Sequence, residues 1–550
     1  MSVHSAEKTY RSIFKWGDPD HEERLDPKVL AILRETFGLD DGDLEGKHLD
    51  GEEEVRLPCR SQLAPEDLSA LRDIVGAENV ESDDFSRASH AFGKCYTDLL
   101  YLRLGRVPHP PDAVVFPRSH EEVEAVVRFC NEAEIPITPF GGHSSVTRGV
   151  ETPKGGVSLD LTRHLNQILA INEENTSVTV QAGMYGPAFE AQLNGHGRGY
   201  TGGHFPQSFE FSTVGGWVAA RGAGQMSTGY GKVEDLVLAL KIVTPRGTLE
   251  TKDYPAMAQG WDLKEIVLGS EGVLGVITEV TLKIRRHRPG QTVFSSFLFR
   301  DFPSAVLSMR EVMQGQFGRP HLFRLSDPEE TELAFRMKGF TDSWTDRYLR
   351  FRGYRTGERT MMLVGVEGDP RHARAVASRI GKVARSNGAM KTGAEPVRRW
   401  FTQRYSSAYL RDPLMDLGIM TDTLETAVTW ERLLPLWKDV RAYIKSRPRT
   451  TCMIHISHVY ENGANLYFTF LSPMAKGREL EDYQVFHKGL VDTIVACGGS
   501  LSHHHGVGRA LAPWMETQHG KVGMELNAAI KDHLDPKGIM NPGGMLGLDP

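Results

Sequence analysis

The sequence predicts an α+β protein of several domains, for three reasons. Its 550 residues exceed one ordinary core, at roughly 100–200 residues per domain. Segments rich in β-branched residues alternate with amphipathic segments of helical period along most of the chain. Glycine is enriched, at 56 residues, and it clusters in turns that follow strand-like runs, where a backbone without Cβ atoms can approach a ligand closely.

Residues 1–107 mix charged helical patterns such as DPKVLAILRETFG with an acidic, glycine-containing stretch, and are expected to form a helical N-terminal extension. The pattern changes at Pro108. HPPDAVVFP is a short β-rich run, and Ser119 is placed to N-cap a helix over SHEEVEAVVRFCNEAEIP. GVSLDL, SVTVQAG, VLALKIVTP and GVITEVTLKI predict further strands, with one helix near 185–194, and RRHRPG ends this unit, giving a domain over 108–288. Beyond it, MMLVGVEG and NLYFTF alternate with the amphipathic HARAVASRIGKVARSNG and WERLLPLWKDVRAYI, so a second α+β domain is expected over 289–510. The tail, 511–550, predicts a helix ended by Pro536 and a glycine-rich loop.

Bulk properties exclude several functions. A net charge of −7 with no long basic run makes nucleic acid an unsuitable partner. Cys59, Cys95, Cys130, Cys452 and Cys497 are scattered, odd in number and free of CxxC spacing, which argues against a disulfide framework or a thiolate zinc site and fits a reducing cytoplasm. The first residues lack the apolar core of a secretory signal, and no run approaches ~18 apolar residues, so neither a signal peptide nor a membrane span is expected.

Three segments carry the chemistry. The first, Pro139-Phe140-Gly141-Gly142-His143-Ser144-Ser145, follows the strand-like IPITPF. Its glycines permit positive φ, and its N–H groups and hydroxyls can cradle a diphosphate. It matches neither GxGxxG nor a P-loop, and taken alone it reads equally well as a structural turn. The second spans 205–231, FPQSFEFSTVGGWVAARGAGQMSTGYG, and the third is GSEGVLGVITEVTLKI over 269–284.

In this order the three segments resemble the FAD-binding domain of the vanillyl-alcohol-oxidase (PCMH-type) flavoproteins. Within that superfamily FEFSTVGGWVAAR, VTPRG, GSEGVLGVITE, AYLRD, TLETAVTW and SLSHHHGVG resemble the alkyldihydroxyacetonephosphate synthase family. The resemblance implies a PCMH-type, two-subdomain FAD-binding domain completed by the C-terminal segment, with an α+β cap domain between them. It implies that FAD contacts the first loop together with Gln207, Ser208, Phe209, Glu210, Phe211, Ser212, Thr213 and Gly216. Contacts from Ala220, Arg221, Gly222, Ala223, Gly224, Gln225 and Met226 follow from the same likeness, as do those from Glu271, Gly272, Val273, Leu274, Gly275, Val276 and Ile277. The implied activity is exchange of the acyl group of acyl-dihydroxyacetone phosphate for a fatty alcohol through a flavin N5 adduct.

Carried over residue by residue, the resemblance assigns catalysis to Tyr467, the run His503-His504-His505 and Arg324, and substrate phosphate to Arg411. Chemically, a phenol needs a cationic neighbourhood to act as a base, and a guanidinium suits phosphate. Without the resemblance Tyr467 reads as a packing aromatic of a strand, and Arg324, close to Asp327, as half of an ion pair. A lipid substrate, a homodimer and peripheral membrane contact are further implications.

The first loop departs from the synthase pattern, which has glycine where His143 stands. In the berberine-bridge-enzyme branch a GGH here carries an 8α-histidyl bond to FAD. Covalent attachment through His143 therefore stands beside a noncovalent loop histidine, and the noncovalent form is preferred. Two related activities compete with the synthase reading: an O2-using oxidase and a D-2-hydroxyacid dehydrogenase. The dehydrogenases hold a metal with GxxxDGNLH and EHG motifs, whereas here His458 keeps one ligand, Tyr467 replaces a second and His504 replaces the glutamate, so no metal is expected. GHSSV lacks the second glycine of a GxSxG nucleophile elbow, which argues against serine hydrolysis.

Overall fold

The computed structural model describes residues 8–17, 25–45 and 49–547. Their strands form three main sheets and a two-stranded ribbon. In the first sheet Ala113–Val115 and Ile137–Phe140 run parallel on either side of Val157–Asp160. Parallel neighbours require a crossover, and the helix His120–Ala133 lies between two of these strands in the chain. Ser119 caps it, its hydroxyl accepting from the Glu122 N–H at 3.3 Å, and Val123, Val126, Val127 and Cys130 form its buried stripe. Within the region read as helical, Val80–Glu81 adds an antiparallel edge strand to this sheet.

The second sheet is antiparallel, in the order Ile168–Asn172, Ser177–Gln181, Val276–Lys283, Val237–Thr244 and Gly247–Glu250. The expected helix lies at Gly186–Gly195. After the helical segment Met515–Leu534, which is broken at Gly520 (φ +70°), the chain's last described segment returns to the first sheet. The Ile137 N–H donates to the Ile539 carbonyl, and the Asn541 N–H donates to the Ile137 carbonyl.

The third sheet has seven antiparallel strands ordered Met390–Gly393, Val293–Phe299, Thr360–Val366, Leu322–Ser326, Thr451–Ile456, Gly463–Pro473 and Ile419–Thr429. Helices that include Pro370–Ser386 and Trp430–Ser446 pack against it. Alternate residues of the last three strands, Met453 and His455, Tyr467, Thr469 and Leu471, and Thr421 and Thr423, face a cavity instead.

The start of the N-terminal extension is tied down at two points, one within the extension and one on the third sheet's side. The buried Lys94 ammonium donates to the carbonyls of Ile13 and Lys15 at 2.6 and 2.8 Å. Leu33 and Phe37, on the helix Pro27–Phe37, pack with Leu414, Ile419 and Leu471. No helix among the described residues is long and apolar enough to cross a membrane.

Candidate active site

A cavity of about 720 Å³ runs from the three glycine-rich loops, across the open face of the third sheet, to the helices Pro27–Phe37 and Pro328–Met337. At its loop end the wall includes all seven residues from Pro139 to Ser145. Gln207, Ser208, Ser212, Thr213, Gly216, Ala220, Gly222, Ala223 and Gln225 come from the second loop, and Glu271, Gly272, Gly275 and Ile277 from the third. The first two loops touch: a Cβ at Gly142 would lie 2.1 Å from the Phe211 carbonyl oxygen, so only glycine lets them close. Thr213 caps the short helix Val214–Ala219 by accepting from the Gly216 N–H at 3.2 Å.

Nine residues expected at the cofactor lie off the cavity wall, each for a local reason. Phe209 stacks on Tyr405, Glu210 accepts from the Tyr409 hydroxyl, and Phe211 packs edge-on against Trp16. Arg221 turns away to the Leu268 carbonyl at 2.9 Å. Gly224 abuts the backbone of His204 and Phe205, while Met226, Val273, Leu274 and Val276 are buried in the core.

The loop end fits FAD. Nε2 of His143 and Oε1 of Gln225, both on wall residues, are buried without a hydrogen-bond partner, as expected of groups that await a polar ligand. His143 has φ of +59°. Burial, reinforced by the charges of Lys94 and His90, holds its imidazole well below the usual histidine range, so it is neutral at pH 7.

At the other end of the loops lies a cluster of rings. Tyr467 stacks on His455 at 4.7 Å and lies 5.9 and 5.5 Å from the rings of His504 and His505. Its hydroxyl donates to Thr423 Oγ1 at 3.2 Å, and burial pushes its pKa up to about 12. The phenol is therefore protonated at neutral pH, which differs from the activated base that the sequence reading required. Burial also dominates at His505, which it pulls down to about 4, leaving a neutral imidazole. Of the three consecutive histidines, His504 and His505 line the cavity, whereas His503 sits behind them, its Nε2 2.6 Å from the Tyr460 hydroxyl.

Two arginines reach the same wall. Arg411, at the start of the helix Arg411–Asp416, donates through Nη1 to the Lys94 carbonyl at 2.7 Å and has Asp422 3.6 Å from Nη2. Its Nε and Nη2 atoms are buried without hydrogen bonds. Arg324 is already engaged: it donates to Glu330 at 2.6 Å and lies over the Trp400 ring. The ion pair foreseen with Asp327 is made instead with Glu330, which also accepts from Ser326 and contacts His455 Nδ1 at 3.1 Å. Burial would raise the Glu330 carboxyl, but Arg324 and His455 bring it down to about 2.

Sequence reasoning missed Glu425 outright, and for Glu271, named as a cofactor contact, it missed the part played in holding the cluster together. Glu425, 1% exposed, accepts from the Ser502 hydroxyl at 2.6 Å and from the backbone N–H groups of His503, His504 and His505 at 2.8–3.1 Å. Burial opposes its charge, yet the surrounding histidines hold it well below the ordinary carboxylate range. From the other side Glu271 accepts from the Val507 and Gly508 N–H groups at 2.5 and 2.7 Å. Two carboxylates thus fix the histidine turn, one from the third sheet and one from the third glycine loop. The available signal was an isolated acid inside the strand-like TLETAVTW.

The chain matches two family models, the FAD binding domain over residues 111–252 and the FAD linked oxidases, C-terminal domain, over 288–545. The alkyldihydroxyacetonephosphate synthase of Dictyostelium discoideum is 35% identical over 496 residues, 87% of this chain and 80% of that protein. The Caenorhabditis elegans alkyldihydroxyacetonephosphate synthase is 35% identical over 484 residues, covering 84% and 80%. A solved alkyldihydroxyacetonephosphate synthase structure superimposes with a TM-score of 0.79 at 31% identity, over 94% of this chain and 91% of that one. FAD is accordingly the cofactor of this protein. These likenesses span both halves of the cavity wall, so the chain belongs to the alkyldihydroxyacetonephosphate synthase family of FAD-binding flavoproteins.

Proposed function

We propose that the protein replaces the acyl group of an acyl-dihydroxyacetone phosphate with a fatty alcohol, forming an ether. The observation that carries this reading is the continuity of one cavity with three different walls. The FAD loops form one, the edge of Arg411 that makes no hydrogen bond, beside Tyr467 and the histidine turn, forms the second, and an apolar arm of Leu25, Val29, Leu33, Met337, Leu410, Leu414, Met453 and Leu471 forms the third. A phosphate, a reacting carbon and an alkyl chain each find a complementary surface there.

Bound FAD would supply a ring that takes up an electron pair and gives it back, so that one oxygen substituent of a carbon is exchanged for another without net oxidation. The chain's own residues do the rest. Arg411 binds the phosphate through charge-assisted hydrogen bonds from Nε and Nη2. The Tyr467 hydroxyl and the imidazoles of His504 and His505 flank the reacting end, where proton donors and acceptors are needed for departure of a carboxylate and entry of an alcohol. Val29, Ile32 and Leu33 of the helix Pro27–Phe37 exclude water from the chain-binding arm.

Delivery of the lipid substrates at a membrane surface belongs to the same reading. The helix Trp344–Phe351 presents Trp344, Tyr348 and Phe351 to solvent, with Arg347 beside Trp344 and Arg352 bonded to the Tyr348 hydroxyl. Exposed aromatics interleaved with arginines suit an anionic lipid interface. Buried Arg359 pairs with both Glu332 and Asp346, joining this helix to Pro328–Met337, which lines the apolar arm.

The test is direct. FAD-loaded protein is incubated with palmitoyl-dihydroxyacetone phosphate and hexadecanol, and the products are read by mass spectrometry. The expected result is hexadecyl-dihydroxyacetone phosphate with release of palmitate. Peroxide production or hydroxyacid turnover without ether product overturns the reading.

A further inference from the structure

We propose that His458, His503 and His504 form a three-imidazole site for a borderline divalent cation such as Zn2+, opening onto the cavity. One ligating atom from each lies within 4.8 Å of the other two. The rings are already gathered: His458 stacks on His503 at 4.9 Å and meets His504 at 4.9 Å, and the Nδ1 atoms of His503 and His504 are 2.9 Å apart. Zinc–imidazole bonds of ~2.0–2.1 Å place tetrahedral nitrogen ligands about 3.4 Å from one another. Modest ring rotation therefore brings the three atoms onto one ion.

The surroundings favour metal over a simple ring stack. An imidazole that ligates through one nitrogen is held by a hydrogen bond at the other, which fixes tautomer and orientation. Two of the three have that partner: His458 Nδ1 lies 2.6 Å from the Ser227 hydroxyl, and His503 Nε2 lies 2.6 Å from the Tyr460 hydroxyl. His458 Nε2 and His503 Nδ1 are thereby left for the ion. The Glu425 carboxylate, 3.4 Å from His504 Nδ1, supplies compensating negative charge. The opposing cation, Lys232, donates to the His503 carbonyl and is paired with Glu234 at 3.0 Å. Three nitrogens with neither thiolate nor carboxylate in direct contact suit Zn2+, Cu2+ or Ni2+ rather than Mg2+ or Ca2+. His458 and His504 line the cavity, so the remaining coordination position faces it.

This ligand set departs from the sequence-based expectation of no metal, which rested on the replacement of two ligands of a different motif. His503 belongs to neither of those motifs. Binding is also separable from the proposed reaction, because it is measured whether or not ether is formed.

FAD-loaded protein is stripped with a chelator, desalted and titrated with Zn2+ by calorimetry. The expected result is one saturable equivalent, weakened at least tenfold in each of His458→Ala, His503→Ala and His504→Ala. Retained flavin absorbance certifies the fold of each variant, and if one loses FAD the other two decide the question. Ser227→Ala should weaken binding less than the ligand variants while leaving one equivalent. Absence of a saturable equivalent in the native protein overturns the proposal. So does an affinity that is the same in the folded histidine variants, which would place the ion elsewhere.

Discussion

Glu425→Gln isolates the electrostatic part of the histidine turn's anchorage while preserving its shape. In the native protein one carboxylate accepts from the Ser502 hydroxyl and three successive backbone N–H groups, all within 3.1 Å. Hydrogen bonds to a charged acceptor contribute about 1.5–3 kcal/mol each against about 0.5–1.5 for neutral ones. Four such bonds converge on one group and do not add, so the amide is expected to weaken the turn's position by roughly 2–3 kcal/mol in total. If the turn must be in place for His504 and His505 to face Tyr467, this loss appears in the rate as about a 30–150-fold decrease, at 1.36 kcal/mol per tenfold. The assay is the initial rate of ether formation at saturating substrate, with FAD content read from the flavin absorbance. Glu425→Asp, which keeps the charge on a shorter stem, should fall between the two. A Gln variant that retains FAD and works within about threefold of the native rate would refute the reasoning, because the turn would then be held by packing alone.

Four further outcomes are expected. Asp327, with no exposed surface, accepts at Oδ1 from the Glu330 and Ile454 N–H groups while its Oδ2 has no hydrogen bond, and burial raises its pKa to about 7. Its folded-state value lies above the unfolded one, so the stability it contributes is full below about pH 4 and is lost as pH rises through about 7. Asp327→Asn, which preserves the helix cap, should gain on the native protein by roughly 2–3 kcal/mol between pH 5 and pH 8 in denaturant titrations. Arg411→Lys removes the fork of donors and should raise the KM for the phosphate-bearing substrate roughly 10–100-fold with a smaller effect on kcat. Acid denaturation should release yellow FAD into the supernatant, since His143 is expected to contact the cofactor without a covalent bond; flavin that stays with the precipitate reverses this. Replacing Trp344 and Phe351 together by Ser should reduce co-flotation with anionic vesicles at least tenfold while leaving thermal stability unchanged, because both rings are exposed.

Much of the fold was legible because local chemistry decides it. Ser119 announces its helix through one hydroxyl, and the helix Met515–Leu534 stops just before Pro536, as that proline's missing donor requires. The strands flanking the glycine loops could be read from β-branched runs bounded by turns. The seven-strand order of the third sheet was not readable, since it joins Met390–Gly393 to Val293–Phe299 and Leu322–Ser326 to Thr451–Ile456 across long stretches of chain. Such pairings follow from burial of whole faces and leave no short-range mark. Val80–Glu81 was missed for the same reason: two residues carry no period, and only their pairing with Ala113–Val115 makes them a strand.

The site divides along the same line. Glycine loops and consecutive histidines are local patterns and were visible, whereas the third-sheet half of the cluster exists only through register. Glu425 pairs with Tyr467, and Tyr467 with His455, so an acid, a phenol and an imidazole stand in one row across three adjacent strands. Slipping Gly463–Pro473 by one residue would turn Tyr467 to the opposite face and bring Leu466 or Phe468 into the row. That slip is opposed by burial, because Leu466, Phe468 and Phe470 are completely buried on the face away from the cavity and would have to exchange places with Tyr467 and Thr469. The apolar alternation of this strand therefore positions the polar row, and the placement of Tyr467 depends on neighbours that lie away from the cavity. A polar residue at Phe468 should accordingly disturb catalysis through register and stability together, while the same replacement at Thr469, which faces the cavity, should affect substrate alone.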